Sequence, residues 1–93
     1  MAKPRDAWLP PKYEIADAYA VQAVERGQAD EGMQKRALDW IIQMAAGTYE
    51  VSYRAGADGD RETAFAEGRR FVGIQIVKLL RLNTAALAGD KHG

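Results

Sequence analysis

The chain contains no cysteine, which excludes disulfides, thiolate nucleophiles and cysteine-based zinc sites. It has a single serine, Ser52, and a single histidine, His92, the penultimate residue. A Ser-His-Asp arrangement needs a rigidly held base, so no catalytic constellation is expected. The chain is read as not an enzyme, and no cofactor or metal is implied. Charge of one sign is missing too: thirteen Lys and Arg balance thirteen Asp and Glu. Nucleic-acid binders usually carry a visible positive excess, so DNA or RNA is not the expected partner. Low self-repulsion instead favours association. Long apolar runs are also absent. The best, Phe71 to Val77, is broken by Gln75 and closed by Lys78, far short of the roughly 20 residues that span a bilayer. The opening Met-Ala-Lys-Pro-Arg-Asp has charge but no apolar run behind it, so no secretory signal is expected.

Proline is confined to positions 4, 10 and 11. It removes an amide donor and pushes the preceding residue into extended geometry, so residues 1–11 read as an extended arm bearing Trp8 and Leu9. Beyond it, 93 residues suffice for one domain with a modest core. Residues 12–26 predict a first helix, with Ile15 and Tyr19 four apart and Ala16, Ala20 and Val24 continuing a second row. Alanine at 16, 18, 20 and 23 gives it high propensity and a thin profile, and Gly27 suits a left-handed stop. Asp30 predicts the N-cap of a second helix, whose Met33, Ala37, Trp40, Ile41 and Met44 share a face and which Gly47 can end. The short link makes these two helices an antiparallel hairpin. Tyr49, Val51 and Tyr53 alternate with polar residues, but an isolated strand lacks a partner. That stretch reads as irregular.

A third helix is predicted from an Asp58 or Asp60 cap to about Leu82. Phe65, Gly68, Val72, Ile76 and Leu79 cluster on one side, the face expected to pack on the hairpin. Opposite lie Ile74 and Val77 between Arg70 and Arg81. Gly68 and Gly73 each cost about 1 kcal/mol relative to alanine inside a helix, which suggests another backbone passing close by. The fold class is thus all-α, a small three-helix bundle made of a hairpin and one long C-terminal helix, with an extended N-terminal arm. Residues 12–82 form the helical domain and 83–93 a polar, frayed tail.

Three motif readings fail on their own chemistry. Asp58-Gly-Asp60-Arg-Glu62 resembles a calcium loop, but Arg69 stands at the twelfth position where glutamate is needed. Gly56-Ala-Asp-Gly59 lacks a preceding buried strand and the Gly-Lys-Ser/Thr of a phosphate loop. Arg61, Arg69, Arg70, Lys78 and Arg81 do not form the single stripe of a DNA-recognition helix. The sharper feature is the second apolar face of the third helix. Ile74 and Val77 with Arg70 and Arg81 are the expected contact with another chain, since arginine is enriched at interface hot spots. Trp8 and Leu9 would join them if the arm reaches a neighbour, or staple onto their own bundle if it folds back.

The run Arg61-Glu-Thr-Ala-Phe-Ala-Glu-Gly-Arg-Arg-Phe-Val-Gly-Ile74 resembles a family of short tailed-bacteriophage proteins, the Bordetella-phage Bbp-like group. The matching positions are Thr63, Phe65, Glu67, Gly68, Arg70, Val72 and Gly73, followed by an apolar helical end through Leu80. The resemblance covers about residues 49–82, and the N-terminal arm and first helix depart from it. It implies no catalytic residue and no cofactor. It implies a virion-associated or assembly protein, in host cytoplasm during assembly. Such a protein would bind a portal, head-tail or capsid component, in several copies or as a homo-oligomer. A DNA-binding packaging factor, similar to a small terminase subunit, is the alternative.

Overall fold

The computed structural model of the protein describes residues 9–53, 55–56 and 58–91. Among them are four α-helices and one π-helical segment, and no strand: α1 (Ile15–Glu25), α2 (Glu31–Asp39), the π segment (Trp40–Ala45), α3 (Gly59–Leu80) and α4 (Thr84–Lys91). The all-helical class stands. Most of the expected arm, including Trp8, lies outside the described residues, while Leu9 is exposed.

Local chemistry sets the hairpin. The Glu14 side chain and the Asp17 carboxylate form a reciprocal capping box at the start of α1, in which Asp17 Oδ2 accepts the Glu14 amide at 2.8 Å. These bonds satisfy amides that the first helical turn leaves without partners. Gly27, at φ +69°, reverses the chain, and Asp30 Oδ1 caps α2 by accepting the Met33 amide at 2.8 Å. The helices run antiparallel, since Arg36 late in α2 reaches the start of α1. Its Nε donates to Asp17 Oδ1 at 2.8 Å and its Nη2 to Glu14 Oε1 at 3.1 Å. One step further along, the Trp40 indole donates to the Lys12 carbonyl at 2.9 Å.

The two helices meet through alanine. Ala20 and Ala37 are only 1% and 2% exposed, and the other buried apolar side chains among the described residues are Ile42, Ala46 and Ala66. No large side chain is fully buried among the described residues. Burying one methylene-sized group is worth about 0.8 kcal/mol, against roughly 1.5–3 kcal/mol for a leucine or phenylalanine. Backbones therefore approach closely at the seam, but its hydrophobic yield is small.

The expected face of helix two (Met33, Ala37, Trp40, Ile41 and Met44) is turned inward, and Ile42 joins it. The reason is the π segment, where the Ala46 amide bonds to the Ile41 carbonyl, five residues back, at 2.8 Å. The wider turn adds a residue to the inner side. Gly47, at φ +60°, then stops the helix as expected. Thr48 turns back on the Ile42 carbonyl with both its amide, at 3.1 Å, and its Oγ1, at 2.7 Å.

Helix α3 meets the rest of the chain at the π segment and the turn after it. Its buried residues are Gly59, Ala66 and Gly73, spaced seven apart and so on one side. A Cβ placed on Gly73 would fall on Thr48 Oγ1 and lie 2.9 Å from Ala46 Cβ. A close neighbour is thus present at Gly73, though it is the Thr48 and Ala46 side chains that crowd it and not the backbone expected, whereas a Cβ at Gly68 would meet nothing within 4 Å. Residues 84–91, expected as a frayed tail, form α4. Asn83 caps it, its Oδ1 accepting the Ala86 amide at 3.1 Å.

Candidate protein-interaction surface

The face of α3 expected to pack on the hairpin is turned outward. Phe65 is 50% exposed, Val72 55% and Leu79 68%; Gly68 is exposed and Ile76 half-buried. The physical reason is competition between two sides of one helix. The side carrying Gly59, Ala66 and Gly73 lets the backbone settle against Ala46 and Thr48, which a side bearing phenylalanine and leucine cannot do.

The expected contact residues are placed accordingly. Arg70 leans toward the hairpin, its Nε donating to the Thr48 carbonyl at 3.1 Å, and its Nη1 lies 3.7 Å from Glu67. Val77 is half-buried and lines a cleft of about 300 Å³ with Ile42, Tyr49 and Leu80. Ile74 is 38% exposed and Arg81 is exposed at the helix end. Arg70 and Val77 thus belong to the side that meets the π segment, and the structure does not gather them with Leu9 or Ile74 into one outward patch.

What it does gather is an apolar strip. At 100° per residue, Glu67, Arg70 and Lys78 fall away from the direction shared by Phe65, Val72 and Leu79, whereas Arg61 and Arg69 lie beside it. Ala64, Gly68 and Phe71 border the strip, and Phe71 is itself 61% exposed. Arg69 edges it, with its guanidinium carbon 5.8 Å from the Phe65 ring centroid and its Nη2 3.9 Å from Glu50 Oε1. The sequence displays this strip plainly; its seven-residue repeat reads equally well as core or as contact.

Elsewhere the chemistry is self-contained. A groove of about 800 Å³ is lined by Tyr13, Arg36, Trp40 and Met44 among others, and its Glu14, Asp17 and Arg36 pair with one another. The Glu14 amide holds the Asp17 carboxyl below its ordinary value, and Arg36 adds to that. Among the described residues no group of three or more His, Cys, Asp or Glu is placed to hold a metal. Nor is any described helix long and apolar enough to cross a membrane. No family model, curated protein or solved structure matches the chain.

Proposed function

We propose that this chain is a non-enzymatic assembly protein that works by presenting the outer face of α3 to another protein surface. The observation that carries this reading is the strip Phe65, Val72 and Leu79, apolar and at least half exposed along one side of the helix. Apolar side chains exposed together on one rigid element are a feature of interaction sites. The sequence resemblance over residues 49–82 supplies the setting. In it the chain is a structural or assembly protein of a tailed bacteriophage, present in the virion and in host cytoplasm during assembly. It binds a portal, head-tail or capsid component in several copies, and the hairpin and α3 act together as a three-helix unit that holds the strip rigid.

The nucleic-acid alternative has less support, because Arg36, Arg69 and Arg70 lie against Glu14 and Asp17, Glu50, and Glu67 respectively. The test uses the phage that encodes the chain. Mass spectrometry of purified particles and assembly intermediates is expected to find the wild-type chain in head or head-tail fractions. Val72→Asp is expected to remove it and to lower the yield of infectious particles. A wild-type chain missing from every particle fraction, with unchanged yield on deletion, would sink the assembly role.

A further inference from the structure

We propose that the π segment is a register latch, which holds its extra residue only while α3 is docked and returns to an α-helix when α3 leaves. The latch does not depend on what the outer face of α3 binds.

The segment sits between two fixed points. Upstream the backbone is still α-helical at Trp40, whose amide bonds to the Arg36 carbonyl, and the Trp40 indole is tied to the Lys12 carbonyl at 2.9 Å. Downstream the Ala46 amide reaches five residues back, to Ile41, at 2.8 Å. One extra residue has therefore entered the turn between them. Each residue of an α-helix turns the chain by about 100° and advances it by about 1.5 Å. The insertion thus sets the direction in which the chain leaves the hairpin after residue 45.

Competition for one carbonyl shows how the register is held. In an α-helix the Ala46 amide would bond to the Ile42 carbonyl, four residues back. Here that carbonyl accepts the Thr48 amide at 3.1 Å and Thr48 Oγ1 at 2.7 Å. Thr48 is in turn engaged by α3: Arg70 Nε donates to its carbonyl at 3.1 Å, and Gly73 leaves room for its side chain and for Ala46. An ordinary α-helix over the same residues would swing Ala46 and Thr48 about 100° away from these partners.

The hairpin has no such stake in the insertion. Its caps, its alanine seam of Ala20 and Ala37, and its Arg36 pairs all lie at or before residue 40. The π-helix is the rare form, found mostly as single-turn insertions in α-helices and often at functional sites. The contact that selects it here is α3. That contact is also light, since the buried residues of α3 are Gly59, Ala66 and Gly73, which have one methyl side chain between them. A partner that binds the undocked state better draws α3 off, and the latch converts that departure into a rotation of residues 46–48.

The test reads the hydrogen-bond acceptor directly. Scalar couplings across hydrogen bonds in the isotopically labelled full chain are expected to pair the Ala46 amide with the Ile41 carbonyl. Gly73→Leu, which cannot seat against Thr48, is expected to lose the nuclear Overhauser contact between position 73 and the Ala46 methyl. Its Ala46 amide is expected to pair with the Ile42 carbonyl instead. The Met33 amide, bonded to Asp30, reports that the hairpin is still folded. An Ala46 amide that stays on Ile41 after α3 has left overturns the latch, as does a docked wild type with Ala46 on Ile42. Where Gly73→Leu stays docked or unfolds the hairpin, wild type in rising urea decides. Loss of the Gly73 contact and exchange of the acceptor must then coincide, and an Ile41 pairing that outlasts the contact overturns the latch. Deleting Gln43, which is exposed in the segment, makes Ile41 the fourth residue before Ala46. That variant is expected to be α-helical throughout, to keep the Gly73 contact, and to hold Ile41 as acceptor even with Gly73→Leu added. Loss of the Gly73 contact on deletion alone overturns the register argument.

Discussion

Two glycines of α3, five residues apart, carry opposite meanings. At Gly73 a methyl group would collide with Thr48 Oγ1 and crowd Ala46, and both neighbours are buried. Gly73→Ala should therefore destabilise the chain by about 1–3 kcal/mol, the usual cost of overpacking, despite the gain in helix propensity. At Gly68 the space is open, so Gly68→Ala should raise the stability of the chain by about 1 kcal/mol or less. Thermal melts of dilute protein check both signs. Thr48→Ala should cost about 1 kcal/mol through loss of its hydrogen bond to the Ile42 carbonyl. Combined with Gly73→Ala it should cost less than the sum, because the hydroxyl that collides is gone. Strict additivity would show that Thr48 is not what keeps position 73 empty.

Among the elements, the hairpin was the most legible in sequence because its signals are local. Asp30 at a cap and Gly27 at a reversal act on residues within one turn, and alanine rows need only a neighbour to become a seam. The π segment was not legible, since an inserted residue leaves the composition of a helix unchanged and shows only as Ile42 moving inward. Nor was α4, whose eight residues are held by an Asn83 cap and bury no described side chain. The orientation of α3 was the consequential miss. Its strip of Phe65, Val72 and Leu79 was visible, but which side faces inward depends on Ala46 and Thr48, about twenty-five residues from Gly73, which periodicity cannot weigh. At the join of α1 and α2, the Asp17 carboxyl has a folded value below its unfolded one of about 3.9. Its contribution is therefore complete above that value and is lost as pH falls through the lower folded one. Asp17→Asn should melt below wild type at neutral pH, and the gap should close on acidification to about pH 2–3. A gap of constant size would mean that Asp17 contributes no charge.

For the whole molecule, a thin seam inside leaves large apolar residues outside, so a partner that covers them in the folded state alone would add to stability. Anything that binds the folded state alone raises its melting temperature by mass action. Self-association through the outer face of α3 would make the melting temperature rise with protein concentration, and Val72→Asp would remove that rise.

The alanine seam also fixes which changes heredity can tolerate. In most small proteins the inner positions suffer from truncation, because a lost methylene leaves a hole. Here Ala20, Ala37, Ala46 and Ala66 have almost nothing to lose, yet every larger residue would wedge two backbones apart. A saturation library selected for folding should accept glycine or serine at these sites more readily than valine or leucine. That size ceiling, repeated at Gly73, would let drift act freely on the hairpin's outer side while holding its inner side near the smallest residues of the code.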